Sequence, residues 1–62
     1  MTTIDTITEA QIVTLRNEAA EAGDFEQVQV CNLALADLER PWEGTAYLEE
    51  CVEVIRRAEA QS

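Results

Sequence analysis

The stretch EAAEAGDFEQVQV, residues 18–30, decides the fold. A run of helical composition stops at Gly23-Asp24, and a second helical run begins at once. Left-handed backbone costs glycine little, so Gly23 suits the position just past a helix end. Asp24 suits the next N-cap, and Gln27 three residues on repeats a cap-plus-N3 arrangement. Two amphipathic helices with so short a link must pack antiparallel or at a steep angle.

Upstream, ITEAQI carries a fuller start signal. Thr8 is the expected N-cap and Gln11 the N3 partner of a capping box, with Ile7 and Ile12 as the hydrophobic staple. Glu9 favours the positive end of the helix dipole. Ile12, Leu15, Ala19 and Ala22 then line one face. In the second helix Val28, Cys31, Leu35 and Leu38 form the stripe, broadened by Val30, Leu33 and Ala34, so this helix is expected to be central. Pro41 disfavours helical geometry at Arg40 and stops it near Glu39. After RPWEGT, Thr45 or Gly44 caps a third helix whose stripe is Leu48, Cys51, Val52, Ile55 and Ala58. Its acids lie early and Arg56 and Arg57 late, with Glu53 and Arg57 as an i,i+4 pair.

The expectation is therefore an all-α, small three-helix bundle with short connections. Helices fall near 8–22, 24–40 and 45–60, in a single domain over 8–60. Residues 1–7 form an extended N-terminal arm with Met1 to Thr3 mobile and Ile7 docked, and the tail AEAQS frays. Leu15, Val28, Cys31, Leu35, Leu48, Val52 and Ile55 are expected to share the core. Val13, Val30 and Val54 lie off or beside the stripes and leave spare apolar surface.

Size and charge bound the function. The chain has 62 residues, and a domain of about 60 residues buries only about 60% of its unfolded surface. A thin core leaves no room for both a scaffold and a deep substrate pocket. The initial Met suggests a complete small reading frame, MTTIDTI lacks a signal-peptide pattern, and two cysteines are too few for a disulfide-dense secreted framework, so a reducing cytoplasm is the expected compartment. No apolar run of about 18 residues is present, so no membrane span is expected. Thirteen acids face four arginines, with no lysine and no histidine, for a net charge of -9. Such a surface repels nucleic acid and anionic lipid.

The chemical motifs are few. A helix-turn-helix reading starts well, with Ala19 four residues before Gly23. It then fails, because Glu18, Gln29 and Asn32 fall at core positions and the second helix carries no cation before Arg40. Metal ligation would have to use Cys31, Cys51 and carboxylates, and the cysteines lack close-pair spacing. The two cysteines read as small buried hydrophobes or as a disulfide between the second and third helices; a catalytic thiol lacks a histidine base. With no glycine-rich phosphate loop and no cleft to separate carboxylate pKa values, the chain is expected to be a non-enzyme without a cofactor or metal.

Trp42 has two readings. Its ring either caps the open end of the core or anchors a partner, since tryptophan is enriched among interface hot spots. Glu39, Glu43, Glu49 and Glu50 are expected to surround it, with Asp37 and Glu53 nearby. Trp42, Glu43, Glu49, Glu50 and Glu39 are thus the candidate protein-binding residues, and Glu18 and Glu21 on the first helix the next candidate face.

Ile7 to Ala36 also resembles a type of short open reading frame found in bacteriophages and mobile elements. The resemblance rests on an I-T-x-A-Q-I start, an L-R-x-E-A run, an A-G-D corner and V-x-x-C followed by A-L, here VQVCNLAL; Cys51 and Ile55 extend it. It implies a small accessory protein of a mobile element and assigns no functional residue. Two functions follow as expectations. One is an acidic protein-binding accessory protein that inhibits a basic or nucleic-acid-binding partner in the manner of anti-CRISPR proteins or DNA mimics. The other is a homo-oligomeric helical assembly module whose neighbours complete the thin core.

Overall fold

Thr8 and Gln11 satisfy each other's backbone N–H groups at the start of the first helix, as the capping-box spacing requires. The Gln11 N–H donates to Thr8 Oγ1 at 3.2 Å, and the Thr8 N–H donates to Gln11 Oε1 at 2.9 Å. From that start the computed structural model, which describes residues 1–61, runs through α1 (Glu9–Ala22), α2 (Phe25–Glu39), a 3₁₀ turn (Pro41–Glu43) and α3 (Ala46–Gln61). Among the described residues there is no strand. The bundle has a Cα radius of gyration of 10.9 Å, against about 10.5 Å for a packed globule of this length.

The α1–α2 corner closes by backbone bonds. Gly23 takes φ +77°. Its N–H donates to Ala20 O, and the Asp24 N–H donates to Ala19 O at 2.8 Å. This is the paired 5→2 and 6→1 pattern of a Schellman end. It also explains why the second cap is only half a capping box. Asp24 Oδ1 accepts from the Gln27 N–H at 3.2 Å, but the Asp24 N–H is already taken by Ala19. The Gln27 side chain therefore turns inward and donates to Cys31 Sγ at 3.5 Å.

α1 and α3 each pack on α2 and scarcely on each other. The core consists of Ile7, Ile12, Cys31, Ala34, Leu48, Cys51 and Val52, with Leu15, Val30, Leu35, Leu38 and Ile55 packed against it half-exposed. Gln27, Cys31, Ala34 and Leu38 mark the inward line of α2. Val28, expected in the core, lies about 100° round from Gln27 and is only half-buried. Leu35 is likewise displaced to the flank, and the small Cys31 and Ala34 occupy the centre.

The N-terminal arm is part of the fold. Residues 4–6 form a turn, and the Ile7 N–H donates to Thr3 O at 2.9 Å. Thr2, expected to be mobile, is 5% exposed. Its N–H and hydroxyl donate to the Glu59 carboxylate at 3.0 and 2.8 Å, and Thr2 Oγ1 accepts from Gln11 Nε2 at 3.1 Å. The cap of α1, the arm and the last turns of α3 are thus one hydrogen-bonded relay, and α3 continues to Gln61 instead of fraying at the expected AEAQS tail; Ser62 lies outside the described residues.

Ile12 has no exposed surface. Ile12→Ala is expected to cost about 2–5 kcal/mol by urea denaturation, as a cavity in a close-packed core. Val28→Ala, on the flank, is expected to cost clearly less. Equal losses would mean that the inward line of α2 is misplaced.

Candidate functional site

Trp42 sits in the middle of the 3₁₀ turn that reverses the chain after α2. Pro41 starts the turn, the Glu43 N–H donates to Arg40 O at 3.0 Å, and the Gly44 N–H donates to Pro41 O at 3.3 Å. Gly44 leaves it at φ +137°, a conformation that side chains other than hydrogen resist. Trp42 is 77% exposed. The reading of Trp42 as a lid on the core is therefore incorrect. Leu48 is buried near the start of α3 and Leu38 packs against the same cluster, without the indole over them.

The acids around this turn take different places. Glu43 faces Arg40 at 3.7 Å, with both side chains largely exposed. Such a pair contributes little. Glu39 lines a small cleft with Glu9, Leu35 and Leu38. Glu49 lines a groove beneath the N-terminal arm, with Ile4, Val52 and Arg56. Glu50 lines another, against the first turns of α2, with Glu26, Gln27 and Glu53. The structure keeps Trp42 and Glu43 on one turn with Glu39 just before it, and sends Glu49 and Glu50 into two neighbouring grooves that share Glu53 and Arg57 on α3. No groove gathers all five.

Asp37 is a structural residue. Its Oδ2 accepts from the Tyr47 and Leu48 N–H groups at 3.0 and 3.2 Å. It therefore caps α3 from α2, a role the sequence reading gave to Thr45 or Gly44. Thr45 contributes its carbonyl to the Glu49 N–H at 2.9 Å, while its hydroxyl makes only a long contact to Glu49 at 3.4 Å.

The cysteines are free and buried, facing each other across α2 and α3. Cys51 Sγ donates to Cys31 Sγ at 4.0 Å, well beyond a disulfide bond length of about 2.05 Å. Burial, followed by the neighbouring Cys31, pushes the Cys51 thiol up to about 12. A thiol held protonated is a poor nucleophile and a poor metal ligand. Among the described residues no three or more Cys, Asp or Glu side chains are placed to hold a metal ion, and no helix is long and apolar enough to cross a membrane.

Two surfaces were not singled out from sequence. A shallow, mainly apolar groove of about 390 Å³ runs between α1 and α3, floored by Leu15, Val54, Ile55 and Ala58. It exists because α1 and α3 meet through α2 and the arm instead of directly. The other is the outer side of α2, where Phe25 is 71% exposed. Its signal was present in the spacing of Phe25, Gln29, Asn32 and Ala36, which are uncharged and lie opposite the core stripe. No family model, curated protein or solved structure matches this chain.

Both thiols are expected to resist a disulfide reagent in the native protein and to react fully in denaturant. A raised thiol pKa makes its contribution to stability complete below the unfolded value of about 8.5 and lost as pH rises toward about 12. Stability should therefore decline above about pH 9, and Cys51→Ala should flatten that decline. Glu59 behaves oppositely. The Thr2 N–H, then its hydroxyl, hold the carboxyl below its usual value. Its contribution is present above the unfolded pKa of about 4.3 and is lost as pH falls through the lower folded value. The stability difference between the parent and Glu59→Gln, measured in urea, should shrink on acidification. A difference independent of pH would contradict the Thr2–Glu59 bonds.

Proposed function

We propose that this chain is a small, non-enzymatic protein-binding accessory protein of a bacteriophage or mobile element. Its partner is a basic, nucleic-acid-handling host protein in the cytoplasm, which it inhibits by occupying a cationic surface. The observation that carries this reading is Trp42, 77% exposed on a turn fixed by two backbone hydrogen bonds and by Gly44. An exposed tryptophan on a hydrogen-bonded turn presents a large apolar face to a partner, as binding anchors do. Glu43 and Glu39 lie beside it in the chain, and the net charge of -9 steers a cationic protein toward it. Glu49 and Glu50 add to that field from the flanks of α3 without belonging to the same contact. A second reading, self-association, is favoured by the uncharged outer side of α2.

The test is capture from a lysate of the source cells, at low and high salt, with the parent chain as bait. The captured protein is expected to be basic and to elute as salt rises, since screening shortens to a Debye length of about 3 Å at 1 M. Trp42→Ala should weaken capture by about 2 kcal/mol or more, the scale of a hot-spot loss, while the helical spectrum is unchanged. Combined Glu39→Gln and Glu43→Gln should lower both affinity and its salt dependence. Equal capture by all three baits at both salt concentrations would overturn the assignment.

A further inference from the structure

Phe25, Gln29, Asn32, Leu33, Ala36 and Arg40 follow one another at steps of mostly three and four residues along α2 and its C-cap. They form the outward side of the helix, opposite its core stripe, and all are exposed; at the α1 edge Asn32 Oδ1 accepts a long bond from Arg16 Nη1 at 3.4 Å. Phe25 is 71% exposed and Leu33 37%. The chain carries 13 acids against four arginines, yet this line contains no acid and ends in a cation. Depletion of acids with an aromatic and an arginine present is the composition of an interface core.

We infer that the outer face of α2 docks against the same face of a second copy of this chain, antiparallel about a two-fold axis, with Glu26 of each copy paired to the partner's Arg40. The line selects its own copy for two reasons. Its midpoint falls between Asn32 and Leu33, so an antiparallel copy sets the Phe25 end of each helix against the Arg40 end of the other. Glu26 and Arg40 lie on the same flank of the line, beside Leu33. Antiparallel helices pair like flanks, so symmetry forms the ion pair twice. Arg40 is available for it, because its own contact with Glu43 is 3.7 Å long and largely exposed. Faces rich in acid, such as the side of α3 carrying Glu49, Glu50 and Glu53, would set like charges together in a second copy and are disfavoured. The face is one helix of 15 residues, about 22 Å long at the helical rise. That lies at the small end of specific interfaces, so the dimer is a weak one that forms and dissociates with concentration. This inference deepens the self-association reading and does not depend on the cationic partner.

Sedimentation equilibrium of the purified chain, from micromolar to millimolar concentration at physiological salt, tests it. The parent is expected to show a monomer–dimer equilibrium. Glu26→Arg and Arg40→Glu should each shift dissociation upward by about tenfold or more, because each sets like charges together. Mixing the two variants should restore the parent's affinity as a heterodimer, since Arg at 26 then meets Glu at 40 and the native Arg40 meets the native Glu26. Both substitutions are on exposed positions, and circular dichroism checks that the helices persist. A parent that stays monomeric to millimolar concentration overturns the inference without any variant. So does a dimer that Arg40→Glu leaves unchanged, or a mixture that fails to associate. Because no other protein is present, these outcomes leave the Trp42 reading to stand or fall on its own test.

Discussion

One helix has to serve two neighbours. α2 touches both α1 and α3, which scarcely touch each other, so the fold depends on how closely the outer helices approach it. The fully buried residues of α2 are the small ones, Cys31 and Ala34. Their size lets Ile12 from one side and Cys51 and Val52 from the other meet over a core only a few residues across. The larger Val30, Leu35 and Leu38 serve as walls. In a chain of 62 residues this arrangement closes a core with few large side chains. It also leaves one side of α2 uncovered by either neighbour's core, touched only at its edge by Arg16.

The acidic residues divide into two groups with different work. Asp37 holds the first N–H groups of α3 from the neighbouring helix, and Glu59 holds Thr2 and thereby the N-terminal arm. These two carboxylates tie together segments that local helix formation cannot bring into contact. Most of the others lie exposed, where they repel one another and contribute little to stability. Their effect is on what approaches the molecule. The exposed Trp42 turn, the acid-free outer line of α2 and the groove between α1 and α3 are places where that field gives way to apolar surface.

Much of the fold was legible because its signals are local. Thr8-Gln11, Gly23-Asp24 and Pro41 act over three or four residues, and the helix ends fall within a residue or so of where they place them. What escaped depends on segments meeting in space. Asp37 to Leu48 spans 11 residues and Thr2 to Glu59 spans 57, and no periodicity encodes either bond. Gln27 illustrates the boundary. Its spacing from Asp24 was informative, but its side chain was free for Cys31 only because the Schellman end had taken the Asp24 N–H. Val28 and Leu35 were misplaced for a related reason. A broad apolar stripe does not say which of its rows faces inward until the small residues fix the approach. The candidate binding residues were legible as a set in sequence but not as a surface, since Glu49 and Glu50 line two different grooves beside α3, away from the Trp42 turn.

The functional account rests on Trp42 being presented outward by a fixed turn. Trp42 is the one tryptophan in the chain, so its fluorescence reports on that turn alone. Emission and quenching by a neutral quencher, measured in the native protein and again in denaturant, are the most direct test. The account predicts native emission close to that of tryptophan in water, efficient quenching, and little change in either when the helices unfold. A blue-shifted, protected native emission that moves to the red on unfolding would contradict it, because the indole would then lie in the core.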